Sequence, residues 1–150
     1  MVVLGSDHAG YQLKEAVTKY LTDKSIDFFD VGVCKGEKED YPRIAYEVTE
    51  MIKCKKADKG ILFCGSGIGM AIAANKVNGI RCAVCSEPYS AKMSRLHNDS
   101  NVLALGNRVV GEELAIMIID IWLNSDYEGG RHTKRLNLIE DIEKQNINKE

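Results

Sequence analysis

The residues best suited to chemistry lie around a glycine-rich loop near the middle of the chain. An apolar run ends at Cys64, and the loop that follows is Gly65, Ser66, Gly67, Ile68 and Gly69. Glycines let backbone N–H groups converge on a negative oxygen, helped by the positive end of the following helix. A helix N-terminus also stabilises a thiolate, which gives Cys64 an activating setting. The pattern predicts an oxyanion site with a reactive thiol; the alternatives are a structural turn and ordinary thiol packing.

The common nucleotide-binding loops fit this segment poorly. Its spacing is GxGxG rather than the dinucleotide GxGxxG, the loop follows the third predicted strand, and no distal acid is evident. A phosphate-binding P-loop would end in Gly-Lys-Ser/Thr, which is absent from the sequence. A nucleotide-binding module therefore stays the weakest of the hypotheses considered.

The histidines and two arginines could supply proton transfer and phosphate binding. Asp7 and His8 follow the first apolar run, where Asp7 either caps a helix or takes part in chemistry with His8. His97 ends a predicted helix, a place where a structural imidazole is the ordinary interpretation. Arg131 and Arg135 lie four positions apart, so one helical face would present both guanidinium groups, to a phosphate or to solvent.

The composition limits the partners. The chain has 150 residues, 20 Lys and Arg against 22 Asp and Glu, and a net charge of −2. This balance predicts no affinity for nucleic acid or anionic membranes, so any anion site must be local. The apolar start is broken after five residues, which predicts no signal peptide or membrane span and a cytoplasmic protein.

The five cysteines are predicted to be free thiols, because their number is odd and nothing indicates secretion. Apart from Cys64, we expect them to fill the core. Cys82 and Cys85 have CxxC spacing, but they lie in a predicted strand, where an offset of three places the two sulfurs on opposite faces. Redox or zinc chemistry is therefore not expected there.

Short apolar runs alternate with stretches of helical period, the pattern of a parallel sheet covered by helices on both faces. Strands are predicted at 2–5, 27–31, 59–63, 80–85 and 101–105. Helices are predicted around 13–21 and 44–52 and at about 67–76, 88–97, 111–123 and 132–146, with Pro42 and Pro88 in first turns. One doubly wound, Rossmann-like α/β domain covers residues 1–150, with a frayed tail at 146–150.

In such sheets ligands bind at the carboxyl ends of the strands. Asp7, His8, Cys64, Ser66 and Ser86 all follow predicted strands. An oxyanion cradle, a thiol base, histidines and an arginine pair suit a small phosphorylated substrate whose chemistry is proton movement. No metal-ligand spacing is apparent, and neither a metal nor another cofactor is predicted.

The chain resembles ribose-5-phosphate isomerase B and its galactose-6-phosphate isomerase relatives. The matching segments run in order along nearly the whole chain: Gly5 to Gly10, Asp40 to Pro42, Cys64 to Gly69, Ile72 to Lys76, Cys85 to Ala91, His97 to Asp99, Arg108 to Gly111 and Tyr127 to His132. The resemblance implies interconversion of ribose 5-phosphate and ribulose 5-phosphate through a cis-enediolate, without metal or nucleotide.

The resemblance also implies a role for each motif residue. Cys64 would move a proton between the first two sugar carbons, Ser66 would shuttle one between their oxygens, and the N–H groups of 65–69 would hold the enediolate. His97, assisted by Asp7, would open the sugar ring. The substrate would be bound by Tyr41 and Asn98 at the sugar and by His8, Arg108, Arg131 and Arg135 at the phosphate.

Members of this family are dimers with shared sites, so His97 is expected from a neighbouring subunit, and some dimers pair into tetramers. One branch uses a glutamate base at the position of Met70, which assigns this chain to the thiol branch. The galactose-6-phosphate relatives tend to lack the His97 and Arg131-His132 features, which favours a five-carbon substrate. A six-carbon phosphate of allose or galactose, and a non-catalytic sugar-phosphate-binding subunit, stay open as alternatives.

Overall fold

A five-stranded parallel sheet forms the centre of the molecule. The computed structural model describes residues 1–147. The strands are β1 (Val2–Ser6), β2 (Phe28–Asp30), β3 (Lys59–Cys64), β4 (Cys82–Val84) and β5 (Val102–Gly106). They lie in the order β2-β1-β3-β5-β4, and every neighbouring pair is parallel. The chain therefore reverses its direction of growth beside β1 and β3, the point where such sheets bind ligands.

Six helices connect or follow the strands. They are α1 (Tyr11–Asp23), α2 (Tyr41–Lys53), α3 (Ile68–Ala74), α4 (Pro88–Asn98), α5 (Glu112–Leu123) and α6 (Arg131–Ile147). Pro42 and Pro88 lie in first turns, where a proline loses no helical hydrogen bond. The Glu87 carboxylate caps α4, accepting the N–H of Tyr89 at 2.6 Å and of Ser90 at 2.8 Å. None of the described helices is long and apolar enough to cross a membrane.

The alternation of side chains along the central strands divides the core into two layers. Leu4, Phe63 and Leu105 face the layer that α1, α4 and α5 cover, together with the buried Trp122. The opposite faces of the same strands pack against α2 and α3. Helix α6 packs against α4 at the edge of this arrangement. The predicted doubly wound α/β fold is confirmed.

The boundaries differ modestly from those predicted. Strand β4 covers 82–84 instead of 80–85, because the N–H of Ile80 is still bonded to Val77 in the preceding turn. Asn146 and Ile147, the first residues of the predicted frayed tail, belong to α6, and 148–150 lie outside the described residues.

The cysteines are free thiols, as predicted, but two of them do not fill the core. Cys34 and Cys54 are exposed, so that prediction was wrong for both. Cys54 follows the last turn of α2, and Cys34 lies in the loop after the edge strand β2. Cys82 and Cys85 pack into opposite layers of the core, which confirms that they cannot act as a pair. Burial raises the pKa of both thiols, to about 11 for Cys85.

Candidate active site

An open pocket of about 450 Å³ lies at the carboxyl ends of β1, β3 and β5. Eight of the predicted site residues line it: Asp7, His8, Tyr41, Cys64, Gly65, Ser66, Gly69 and Arg108. They come from the loops after three strands and from the first turns of α2 and α3, so only the parallel sheet brings them together. Ala9 and Val109 complete the lining.

Cys64 ends β3 with its side chain on the α2–α3 side of the sheet and only 5% exposed. Its Sγ accepts a hydrogen bond of 3.1 Å from the backbone N–H of Gly67. An N–H donor aimed at sulfur interacts more strongly with a thiolate than with a thiol. The loop therefore holds the sulfur at the pocket wall in a setting that suits an anion.

The loop needs glycine at its tightest point. Gly67 has φ of +79°, and a Cβ there would lie 3.0 Å from the backbone carbonyl carbon of Leu105. Within residues 1–147, no atom accepts a hydrogen bond from the N–H groups of Gly65, Ser66 and Gly69. The N–H of Ile68 donates instead to Ser66 Oγ at 3.3 Å. The loop thus carries several unpaired donors close to Cys64, as an oxyanion site requires.

Asp7 shapes the loop after β1. Its buried carboxylate accepts the N–H groups of Ala9 and Gly10, both at 2.9 Å. This supports the structural interpretation of Asp7, although the cap residue of α1 is Gly10. The neighbouring His8 is exposed and lines the pocket. Asp7 therefore fixes the turn that presents His8.

Arg108 and Tyr41 lie directly over the glycines of the loop. A Cβ on Gly65 would come within 3.3 Å of Arg108 Nη1, and a Cβ on Gly69 within 2.9 Å of the Tyr41 ring. Any larger residue at either position would push one of these side chains aside. The pocket is thus bounded by a guanidinium group on one side and a phenol on the other.

Asn107 was missed by the sequence analysis. Its backbone N–H donates to Cys64 O at 2.9 Å, and its Nδ2 donates to Ala9 O at 3.0 Å. Asn107 thereby ties the ends of β1 and β3 to β5. The available signal was its place directly after a buried strand, the same signal that identified Cys64 and Asp7.

The predicted residues Gly67 and Ile68 belong to the loop but do not line the pocket. The remaining four predicted side chains, together with His132, form a second group away from the pocket. This group, the histidine–arginine cluster, lies at the end of α4 and the start of α6 and consists of His97, Asn98, Arg131, His132 and Arg135. The rings of His97 and His132 stack with their centroids 4.3 Å apart. Asn98 borders another cavity, between α4 and α6. Within one chain, the cluster and the pocket are separate.

Charge and burial differ within the histidine–arginine cluster. Arg131 and Arg135 are exposed and pair with no carboxylate of residues 1–147. His132 is only 6% exposed. Burial lowers the pKa of His132, and the adjacent His97 lowers it further. The arginines are free to meet an anion, whereas the surroundings of His132 disfavour its protonated form.

The family model described as Ribose/Galactose Isomerase matches residues 2–139. Ribose-5-phosphate isomerase B of Escherichia coli is 50% identical, with 95% of each chain covered. D-erythrulose-4-phosphate isomerase of Pectobacterium atrosepticum is 45% identical over 92% of this chain and 91% of its own. The structure of Clostridium thermocellum ribose-5-phosphate isomerase B matches with a TM-score of 0.94 at 48% identity, over 96% and 97% of the two chains. The chain therefore belongs to the Ribose/Galactose Isomerase family and is an aldose–ketose isomerase.

Proposed function

We propose that this chain interconverts ribose 5-phosphate and ribulose 5-phosphate through a cis-enediolate, with Cys64 as the base. The observation that carries the proposal is the sulfur of Cys64 beside a loop of unpaired N–H groups. The thiolate removes the proton from the second carbon of the open-chain aldose and returns it to the first carbon. Ser66 Oγ shuttles the proton between the two oxygens, so the conversion requires no net oxidation.

The loop supplies the electrostatic part of this reaction. The enediolate oxygens would face the N–H groups of Gly65, Ser66 and Gly69, and one well-placed donor of this kind contributes about 3–4 kcal/mol. Met70 supports the assignment of the base. This residue occupies the position of the glutamate base in the other branch, and its side chain is fully buried and apolar.

Ring opening and phosphate binding require a second copy of the chain in this proposal. His97, assisted by Asp7, would protonate and deprotonate the ring oxygen, and Asn98 would contact the sugar, but neither His97 nor Asn98 lines the pocket of its own chain. A homodimer with shared sites would bring the histidine–arginine cluster of one chain to the pocket of its partner. Arg131 and Arg135 would then meet the phosphate opposite His8 and Arg108. Exposed apolar side chains on α5 and α6, including Met117, Leu138 and Ile142, support a partner chain packed against these two helices.

The test compares two cysteine variants on ribose 5-phosphate. We expect Cys64→Ala to lower kcat by about 10³-fold or more, because a positioned base contributes about 10²–10⁴ and no other base faces the same carbon in this proposal. The matched control Cys54→Ala removes an exposed thiol and leaves kcat unchanged. Inorganic phosphate should still bind to Cys64→Ala, showing that the fold and the anion site persist. Full activity of Cys64→Ala would contradict the proposal.

One relative suggests a second candidate for the substrate. The Pectobacterium atrosepticum protein is named for a four-carbon phosphate, so the family is not confined to one chain length. Six-carbon phosphates stay the alternative that the motifs left open. Comparing kcat/KM for four-, five- and six-carbon aldose phosphates decides the choice. No turnover of any of them, and no exchange of solvent deuterium into bound sugar, would indicate a non-catalytic binding subunit.

A further inference from the structure

Three metal-ligating side chains meet where α4 ends and α6 begins. His97, Glu128 and His132 each place one ligand atom within 4.8 Å of those of the other two. The Nε2 of His132 lies 3.6 Å from Glu128 Oε2, too far for a hydrogen bond. The backbone N–H of Glu128 donates to Leu96 O at 3.0 Å, which fixes this segment against α4. This backbone hydrogen bond holds Glu128 beside α4, and the conformations of the three side chains then bring their ligand atoms together.

The most buried member of this group lacks a partner. His132 is 94% buried, and its Nε2 finds no hydrogen-bond partner within residues 1–147. A buried polar nitrogen without a partner costs free energy, which a ligand at that nitrogen would recover.

We propose that His97, Glu128 and His132 form a binding site for a divalent transition-metal ion, with Zn²⁺ as the best match. Two imidazole nitrogens and one carboxylate oxygen are a common protein ligand set for Zn²⁺, with the fourth position open to water. Mg²⁺ and Ca²⁺ prefer oxygen ligands throughout and would bind poorly here. Glu128 and His132 lie four positions apart, but His97 comes from α4, so no spacing in the sequence indicated the set of three.

Binding requires a small contraction of the group. Metal–ligand bonds of about 2.1 Å in a tetrahedron place the ligand atoms about 3.4 Å apart. His97 is half-buried and Glu128 is exposed, so these two side chains can move toward the fixed ring of His132. The stacked pair of imidazoles then opens, because both rings must aim a nitrogen at one ion.

The effect of the ion on activity rests on the proposed function, whereas its binding does not. A metal on the His97 ring occupies the lone pair that would move the ring-opening proton. Zn²⁺ is therefore an inhibitor in this proposal, and a chelator reverses the inhibition. Inhibition should be stronger on the cyclic aldose phosphate than on the ketose, because ribulose 5-phosphate carries its phosphate on the hydroxyl that would close a ring and is already open.

Calorimetric titration with Zn²⁺ tests the binding. The exposed thiols are first removed as Cys34→Ser and Cys54→Ser, because thiolates are also zinc ligands. We expect one Zn²⁺ per chain, not displaced by excess Mg²⁺, and a Kd at least about tenfold higher in Glu128→Gln. Asp126→Asn, which removes a nearby exposed acid outside the group, should leave the Kd unchanged. Equal affinity of Glu128→Gln and the parent would overturn the site.

The absorption spectrum of bound Co²⁺ tests whether Cys64 is a ligand instead. Co²⁺ bound by a thiolate absorbs strongly in the near ultraviolet, whereas nitrogen and oxygen ligands give no such band. Absence of the band supports the site, and its presence overturns it.

Measuring activity as well as binding separates the proposed metal site from the proposed isomerase function. An active chain that binds no Zn²⁺ overturns the site alone, and a chain that binds Zn²⁺ through Glu128 without converting any sugar phosphate overturns the isomerase proposal alone.

Discussion

The pocket at the strand ends and the histidine–arginine cluster are built in opposite ways. In the pocket, Cys64 and the loop after it are held by the sheet and by backbone hydrogen bonds such as that from Gly67 to Sγ. In the cluster, the exposed side chains of Arg131 and Arg135 project from one end of α6, a helix that packs against α4 at the edge of the domain. Proton transfer needs fixed geometry, whereas phosphate binding tolerates mobile side chains. The division suggests that the pocket holds its groups in place before the substrate binds, which we call preorganised, whereas the arginines of the cluster move to the substrate when it binds, which we call recruited.

Mixing two inactive variants gives the strongest test of whether the pocket of one chain works with the cluster of another. We expect Cys64→Ala and His97→Ala to be inactive on ribose 5-phosphate when each is alone. In a mixed dimer, one site combines an intact pocket with an intact cluster from the partner. Random mixing makes half of the dimers mixed, with one good site of two, so about a quarter of wild-type activity should return. The measurement is kcat after the two variants are refolded together.

The control for mixing uses two variants of the same region. Cys64→Ala mixed with Ser66→Ala leaves every pocket damaged, so no activity should return in that sample. Recovery in this control, or none in the first mixture, would mean that sites are not shared between chains in the proposed way.

Arginine substitutions test whether the cluster binds the phosphate. Arg131→Ala should raise KM for ribose 5-phosphate about 10- to 100-fold, because a lost charge-assisted hydrogen bond costs about 1.5–3 kcal/mol. The value of kcat should change much less, since no proton moves at this group. Lys134→Ala removes an exposed cation from the same turn of α6 and should leave KM unchanged. A similar rise in KM in both variants would indicate a diffuse charge effect instead of a phosphate contact.

The sequence predicted one of these regions better than the other. Asp7, Cys64 and Ser66 follow predicted strands, and a parallel sheet brings strand ends to one edge, so their meeting was expected from the fold alone. Ser86 also follows a predicted strand but does not line the pocket, and Arg108 was named only by the resemblance. No pattern in the sequence placed His97 beside His132, because that contact depends on how α6 returns to α4. The resemblance named His97, Asn98, Arg131 and Arg135 as site residues and implied that His97 acts in a neighbouring subunit, but it did not indicate the contact with His132.

The missed details have the same physical origin. Asn107 contributes through its backbone N–H and a single amide contact, which leave no motif in the sequence. Cys34 and Cys54 were assigned to the core by residue type, but each lies just beyond the end of an element, where apolar type does not ensure burial. Local patterns report the elements, and the contacts between elements come only from the fold.

A glycine pair tests preorganisation of the loop with the smallest expected effect. Gly67 and Gly79 have nearly the same φ, +79° and +80°. A Cβ on Gly67 meets the backbone of Leu105 at 3.0 Å, whereas a Cβ on Gly79 meets nothing within 4 Å. The positive φ alone should cost alanine at either position about 1–2 kcal/mol of unfolding free energy, measured in urea at one protein concentration, and the crowding should add to that cost at Gly67. Only Gly67→Ala should also lower kcat, by about tenfold, because the crowding displaces N–H donors that must face the enediolate. Equal kcat values in the two variants would mean that the loop tolerates displacement, and the contrast between a preorganised pocket and a recruited cluster would fail.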